Sequence, residues 1–210
     1  MKLKYKKLVI VITVITLVLS FFILTLIPTG GSDPNSAENA NLSLNENEDI
    51  NKLIADYFAA KKTVNIETMS TLVSDPNRID KEKFIAMAEY VEDYQNINCY
   101  VIESKDVEGY RVYVKYDMKL KNIQTLAPCL SAFYVTPTSD GKYVVYLSAL
   151  DSAQQDFISS ANKNEEIEKL KEEVEKELQK AIDQDAAFKQ FYQKMDSQIQ
   201  AASGGAASAQ

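Results

Sequence analysis

The stretch GYRVYVKYDMKL, from Gly109 to Leu120, carries the strongest fold signal in the chain, because apolar and polar residues alternate along it. A period of two is typical of a β-strand with one face on a hydrophobic core. One predicted face carries the apolar set Tyr110, Val112, Val114, Tyr116, Met118 and Leu120. The other face carries Arg111, Tyr113, Lys115, Asp117 and Lys119. We expect the first face to pack on helices and the second face to lie in solvent.

Three more strands are predicted next to this one, in residues 97–104, 125–136 and 142–149. The connectors between the four strands are short and contain turn residues such as Gly, Pro, Asp and Asn. Short links between successive strands imply an antiparallel meander.

Helical patterns precede the strands. The first helix is predicted from apolar residues that recur on one helical face, namely Ile50, Leu53, Ile54, Tyr57 and Phe58. A shorter helix is predicted in residues 65–74, and a third over residues 81–94 with Asp80 as its N-cap. Helices followed by an antiparallel sheet predict an α+β domain over residues 49–150.

Residues 151–200 have the pattern of an α-hairpin with two apolar stripes. The first stripe is Ile167, Leu170, Val174, Leu178 and Ile182, and the second is Phe188, Phe191, Tyr192, Met195 and Ile199. The stripes either pack on the preceding domain or bind a partner, which includes self-association through these C-terminal helices.

The composition excludes several functions. The chain has 210 residues, a formal net charge of -7 and no His. Without His there is no usual general base, no common zinc ligand and no Ser-His or Cys-His nucleophile pair. We therefore expect no catalytic residues, no metal site and no cofactor. The acidic balance argues against nucleic acid as a partner, because phosphate binding rests on clustered Lys and Arg.

The two cysteines are Cys99 and Cys129. The predicted turns place Cys99 opposite about Val114 and Cys129 opposite about Asp117, on the two sides of one strand. Two strand spacings make about 10 Å, which exceeds the roughly 7 Å Cα limit for a disulfide. We expect no disulfide and two free thiols, with Cys99 buried.

The N-terminal region predicts a membrane anchor. Residues Leu8–Ile27 contain no charged side chain, and this length spans a bilayer as a helix. Four lysines precede it and the next follows at Lys52, so the N-terminus is expected in the cytoplasm and the main domain outside. We assign residues 1–28 to a basic tip and single-pass anchor, 29–48 to a flexible tether and 201–210 to a flexible tail. A cleaved signal peptide is the alternative to the anchor.

The helices INKLIADYFAAKK, NIETMSTLVSD and DKEKFIAMAEYVEDY, followed by a long-stranded meander, resemble the nuclear transport factor 2-like fold. That resemblance implies a cone, in which a bent antiparallel sheet wraps round helices and leaves a pocket at its open end. The segments YVEDYQNINCYVIES, YRVYVKYDMKL and IQTLAPCLSAFYVTPTSDGKYVVY are similar to membrane-anchored surface proteins of Firmicutes, especially gut clostridia. Many of those proteins carry a bacterial SH3 domain after the helical block. The resemblance covers about residues 49–192, and its motifs are structural rather than catalytic.

Enzymes of the cone fold generally place Asp, Tyr or His inside the pocket. Here the alternation puts Asp117 on the predicted solvent face between Lys115 and Lys119, where it lacks the desolvation that raises a catalytic carboxyl pKa. The candidates for a ligand pocket are Tyr57, Tyr90, Tyr94, Tyr116, Tyr134 and Tyr146.

Together these features predict a non-enzymatic, membrane-anchored extracytoplasmic binding protein of the cell envelope. Its partner would be an envelope protein or wall component that the sequence does not identify. Two alternatives are a scaffold subunit of an envelope-spanning, conjugation-like machine and a small-molecule-binding or isomerase-like pocket protein.

Overall fold

The structure is a computed structural model that describes the backbone of residues 41–206 and the side chains of residues 41–197. The predicted anchor Leu8–Ile27, the basic tip and most of the predicted tether lie outside these residues. Between residues 41 and 206, no helix is both long enough and apolar enough to cross a membrane.

One five-stranded sheet organises the described part of the chain. Its strands lie in the order β1-β2-β3-β4-β5, and each neighbouring pair is antiparallel. The strands are β1 (Ser43–Leu44), β2 (Val91–Glu103), β3 (Tyr110–Leu120), β4 (Ala127–Pro137) and β5 (Tyr143–Val145). The predicted meander is therefore confirmed for β2 to β5.

Three helices lie between β1 and β2 in the sequence, and three follow β5. They are α1 (Glu48–Lys62), α2 (Ile66–Thr71), α3 (Lys81–Ala88), α4 (Ser152–Ala161), α5 (Glu165–Gln184) and α6 (Ala186–Ala206). The side chain of Asp80 accepts the Lys83 N–H at 3.0 Å, which confirms the predicted N-cap of α3. Helices combined with an antiparallel sheet confirm the α+β class.

The prediction was wrong about where α3 ends and the next strand begins. The helix predicted to residue 94 ends at Ala88, and β2 begins at Val91 rather than Ile97. Val91 pairs with Leu120, and two register shifts bend the strand before Asn98. Asn96 lies within the second shift with φ 52°, a backbone conformation that Asn tolerates better than most residues.

Strand β5 is shorter than predicted because the chain leaves the sheet after Tyr146. The Leu147 N–H donates to Ser74 Oγ at 2.9 Å. Val73 forms a parallel bridge with Val145, so the segment after α2 covers the far side of β5.

The apolar face of β3 packs on α1, as predicted. Val112, Val114 and Met118 are buried in one core with Ile50, Ile54, Phe58 and the rest of the α1 stripe. Area buried in such a core provides most of the stability of a domain of this size.

The opposite face of β3 is not in solvent, which corrects the prediction for Arg111 and Tyr113. These side chains are 6% and 2% exposed, because α4 and α5 cover the outer face of the sheet. A second core joins Tyr113 to Ile102, Leu130, Tyr134, Phe157, Ile167, Leu170 and Val174. Lys115 lies at its edge and contacts Glu173 and Glu177 of α5 at 2.6 and 3.0 Å.

The predicted hairpin therefore packs on its own domain through α5. Ile182 and Phe188 continue this contact into the first core, where they join α1 and β3. Among the described stripe residues, Ile167, Leu170, Val174, Ile182, Phe188 and Met195 are buried inside the fold, and Leu178, Phe191 and Tyr192 are partly buried against the first core. At the other boundary, α6 continues past residue 200 and reaches Ala206.

Regular structure also begins before the predicted domain boundary at residue 49. Asn45 accepts the Cys99 N–H through Oδ1 at 2.7 Å and donates from Nδ2 to Asn98 Oδ1 at 3.0 Å. Because these bonds attach β1 to the edge of β2, the last residues of the predicted tether form part of the sheet.

Candidate binding cleft

A cleft of about 370 Å³ lies along the edge of β4. It forms because β5 pairs only with Val135–Pro137 and leaves the earlier part of β4 without a neighbouring strand. One wall comes from α1 and from the residues around the start of α3, and the other comes from the outer face of the sheet and the α4–α5 connection.

The floor of the cleft contains main-chain groups of β4. Tyr134 C=O accepts the Tyr146 N–H at 2.8 Å, so the main-chain groups of Tyr134 point away from β3. Main-chain direction alternates along an antiparallel strand. Leu130 and Ala132 therefore direct their N–H and C=O groups toward the cleft.

The wall on the α1 side is largely aromatic and apolar. The rings of Tyr57 and Phe133 pack edge to face with 5.5 Å between their centroids. Phe84, Met87 and Leu147 extend this surface. Such a wall can hold an apolar group, while a few polar groups fix its orientation.

Lys61 places a positive charge among aromatic side chains. Its Nζ lies 4.8 Å from the ring centroid of Tyr94 and 5.2 Å from that of Phe58. Ring faces attract an ammonium group at such distances. Burial lowers the pKa of Lys61 to about 8; the nearby Cys129 opposes the shift and Lys83 adds to it.

Lys83 is the second lysine of the cleft, and burial also lowers its pKa, with Asp80 opposing the shift. Within the described residues, neither Lys61 nor Lys83 has a carboxylate oxygen within 4.0 Å of its ammonium nitrogen. Lys61 stays mostly protonated at neutral pH, since its lowered pKa is about 8.

The wall opposite α1 is formed by side chains that hydrogen-bond to one another beside the α4–α5 connection. Asn162 Oδ1 accepts the Tyr113 hydroxyl at 2.7 Å and Arg111 Nη2 at 3.3 Å. Lys171 donates to the Asn162 carbonyl at 2.9 Å and also contacts Glu168. The Arg111 Nε is buried without a hydrogen-bond partner in the described part of the chain.

The six tyrosines predicted as pocket residues do not form one site. Tyr57, Tyr94 and Tyr116 lie together on the inner side of the sheet around Phe58. Of these three, Tyr57 lines the cleft. The Tyr116 hydroxyl lies 3.3 Å from the Ser131 hydroxyl, and burial raises the pKa of Tyr116 well above its usual value.

The other three tyrosines lie elsewhere. Tyr134 and Tyr146 pack against each other on the outer side of the sheet, with 5.6 Å between their centroids. The Tyr134 hydroxyl donates to the Glu108 carbonyl at 3.2 Å. Tyr90 packs on Phe191 of α6 at 6.0 Å. Alternation along β4 places Tyr134 on the face opposite to Phe133, which packs with Tyr57 on the inner side.

Asp117 lies at the outer face, as the alternation predicts, but its neighbours differ from the prediction. Asn96 Nδ2 donates to Asp117 Oδ2 at 2.7 Å. The two flanking lysines bind elsewhere, since Lys115 contacts α5 and Lys119 donates to the carbonyls of Ile123 and Gln124. Asp117 does not line the cleft.

The cysteines lie on the two neighbours of β3. Cys99 is buried opposite Val114, which confirms its predicted position. Cys129 lies opposite Tyr116, one residue from the predicted partner. Burial raises the pKa of the Cys99 thiol to about 11 and that of the Cys129 thiol to about 12, so both stay protonated and unreactive at neutral pH.

The sequence did not single out Lys61, Lys83 or Asn162 for the cleft. Lys61 and Lys62 lie in the last turn of α1, where basic residues suit the C-terminus of any helix, and Lys83 occupies a polar position of α3. The sequence pattern did not show that β5 ends early, and this early end leaves the edge of β4 open. Across the described residues, no group of three or more His, Cys, Asp or Glu side chains could hold a metal ion.

Comparison of the chain with protein-family models, with curated proteins and with solved structures gave no match.

Proposed function

We propose that the chain is a non-enzymatic binding protein of the cell envelope, anchored by Leu8–Ile27 with its main domain outside the membrane. The cleft beside β4 is its binding site. The orientation rests on the charge distribution around the apolar segment.

The composition of the cleft supports binding rather than turnover. Its aromatic wall and its two lysines without ion-pair partners can hold a ligand. Among the described residues that line it, the one carboxylate is Asp80, whose oxygen caps α3. Acid–base pairs in enzymes combine groups whose environments push their pKa values apart, and two lysines whose pKa values are both lowered do not make such a pair.

We also propose that the sheet and helices form a cone of the nuclear transport factor 2-like type. Support comes from the position of α1 on the apolar face of the sheet and from the register shifts that bend β2. In such a cone the cleft beside β4 would lie at the open end.

Photo-crosslinking in intact cells tests the binding site. A benzophenone amino acid placed at Phe84, on the cleft wall, should give a light-dependent adduct with an envelope component. The same group at Ala55, an exposed position of α1, is the matched control and should give none.

The Ala132→Phe substitution makes the crosslinking test specific, because it fills the cleft from the β4 side. It should remove the adduct at position 84 while the far-UV circular dichroism stays unchanged. Equal adducts at positions 84 and 55, or an adduct that survives Ala132→Phe, would contradict a binding role for the cleft.

Protease accessibility tests the orientation. Trypsin added to protoplasts of a Gram-positive host should degrade the main domain and spare a tag fused to the N-terminus. Protection of the domain until the cells are lysed would place it in the cytoplasm and contradict the proposal.

A further inference from the structure

We propose that the cleft binds a small organic anion, whose carboxylate or phosphate group is held by Lys61 and Lys83 and whose apolar body lies against the wall formed by Tyr57 and Phe133. This inference rests on the proposed function because both use the same cleft. It adds the chemical class of the ligand.

The first argument is the local charge. The chain carries a net charge of -7, yet the cleft is lined by Lys61, Arg78, Lys83 and Lys171 against the single carboxylate of Asp80. Arg78 contacts Asp75 at 3.4 Å, and Lys171 contacts Glu168. Asp80 offsets part of the charge of Lys83, so about one net positive charge is left over, and it belongs to Lys61 and Lys83.

The second argument is the position of Lys61. Lys61 is half-buried, its ammonium group lies over two aromatic rings, and the charge of Lys83 adds to the lowering of its pKa. A charge taken from water without a hydrogen-bonded counter-ion raises the free energy of the folded protein. An anion bound between the two lysines would supply that counter-ion and would relieve the repulsion between them.

The third argument is the size and chemistry of the rest of the cleft. A volume of about 370 Å³ suits a ring-sized ligand and is near the lower end of ordinary small-molecule sites. The edge-to-face pair of Tyr57 and Phe133 offers apolar surface. The main-chain N–H of Ala132, on the unpaired edge of β4, can donate to an oxygen of the same ligand.

The same edge could also accept an extended peptide as an added strand, in the manner of β-augmentation. The observations favour the small anion, because the free edge is limited to the residues before Tyr134. A peptide is therefore one outcome of the test.

The test uses the full chain in phosphatidylcholine nanodiscs at pH 7, with empty nanodiscs subtracted. The probe is 4-(trifluoromethyl)phenylacetate, followed by fluorine NMR, and the matched neutral compound is its amide. We expect the anion to bind about tenfold more tightly than the amide, the effect of roughly one charge-assisted hydrogen bond.

The lysines are tested one at a time. Lys61→Gln and Lys83→Gln should each weaken binding of the anion about three- to tenfold and leave binding of the amide unchanged. Lys61→Arg, which keeps the charge, should retain most of the affinity. The control is Lys52→Gln, which removes the same charge from an exposed lysine of α1 that pairs with Asp56; it should have no effect.

Four results would overturn the proposal. Equal binding of anion and amide, both lost in Ala132→Phe, would show a binding cleft without anion preference, and the proposed function would survive. Displacement of the probe by an equal concentration of inorganic phosphate would show that the apolar wall does not contribute. Tighter binding of an acetylated Val-Glu-Val-Glu amide than of the probe would favour strand addition to β4. Absence of binding by every probe would also reject the inference, while the crosslink at position 84 would still decide the proposed function.

Discussion

Side chains from four elements act on the ammonium group of Lys61. The rings of Phe58 on α1 and Tyr94 on β2 lie next to it, and Cys129 on β4 and Lys83 on α3 influence its pKa through charge. Because Cys129 and Tyr94 have raised pKa values, neither supplies a negative charge at neutral pH. The lowered pKa of Lys61 therefore reports a charge that folding places in an unfavourable environment.

The free-energy cost of burying the Lys61 charge should depend on pH, and a substitution at Lys61 should reveal it. The pKa is about 8 in the folded protein and 10.5 in the unfolded chain, so the unfolded state binds more protons between these values. The unfavourable contribution of Lys61 to stability should therefore disappear as the pH increases from about 8 to 10.5, while the buried Cys99 and Cys129 thiols act in the opposite direction in the wild type and the variant alike. Lys61→Met should be more stable than the wild type at pH 7, by on the order of 1 kcal/mol, and the difference should shrink over that pH range. Chemical denaturation at several pH values measures it.

The control for Lys61 is Lys52→Met, since Lys52 is exposed and paired with Asp56 on the same helix. This variant should follow the wild type across the whole pH range. A Lys61→Met variant that is less stable than the wild type at every pH would contradict the assignment.

Gly109 is required by close packing rather than by its backbone angle. A Cβ atom at this position would lie 2.4 Å from the hydroxyl oxygen of Tyr134 and 2.6 Å from its Cζ atom. Gly109→Ala should lower the free energy of unfolding by about 1–3 kcal/mol, as other overpacked substitutions do. Thermal or chemical unfolding measures the loss.

A double-mutant cycle identifies the cause of the Gly109 effect. In a Tyr134→Leu background the clashing ring is gone, so the added methyl group of Gly109→Ala should cost clearly less than in the wild type. An equal cost in both backgrounds would mean that the main chain of Gly109, and not the contact with Tyr134, is responsible.

At the level of elements, α5 is held by apolar contacts on one side and by ion pairs at the edge. Leu170 is 6% exposed in the core shared with Tyr113 and Leu130. Leu170→Ala should destabilise the whole protein by about 2–4 kcal/mol, through lost burial and the cavity left behind. Urea unfolding followed by near-UV circular dichroism tests this.

The matched control on α5 is Glu172→Ala, at an exposed position two residues away. It should change stability by less than about 0.5 kcal/mol. If Leu170→Ala were equally mild, α5 would not pack on the sheet in solution, and its stripe would be free for a partner.

The segment from residue 81 to residue 99 shows why local patterns did not predict the end of α3 and the start of β2 correctly. Its apolar spacing fits a helix as far as residue 94, yet Val91 and Tyr94 pair with Leu120 and Met118 of β3. These pairs lie more than twenty residues apart in sequence, so a window of neighbouring residues does not contain them. Long-range strand pairing overrides local helical preference here.

At the level of the whole molecule, the sheet separates two cores. The first core lies between the sheet and α1, and the second lies between the sheet, α4 and α5. Ile182 and Phe188 belong to the first core although they follow the second core in sequence. The described chain should therefore unfold as one unit.

Truncation tests this unity. A chain that ends at Leu150 loses α4, α5 and α6 and exposes Ile102, Tyr113 and Leu130 to water. We expect it to aggregate or to lose its near-UV circular dichroism signal, whereas a chain that ends at residue 200 should keep one cooperative transition. A monomeric, cooperatively folded fragment ending at Leu150 would support two independent domains instead.

Much of the fold follows from local pattern. The α1 stripe, the N-cap at Asp80, the strands β3 and β4 and the position of Cys99 all depend on spacing over a few residues. Alternation along β3 also assigns Asp117 to the outer face. These features are readable because side-chain direction repeats every 2 residues in a strand and every 3.6 in a helix.

Contacts between distant segments account for the remainder. The burial of Arg111 and Tyr113 depends on where α5 packs, and the polar residues of that face alone suggest solvent. The cleft depends on the length of β5, since its early departure toward Ser74 leaves the edge of β4 open beside Lys61 and Lys83. Periodicity gives the direction in which a side chain points, but the side chain that meets it there belongs to another segment, and only folding brings the two together.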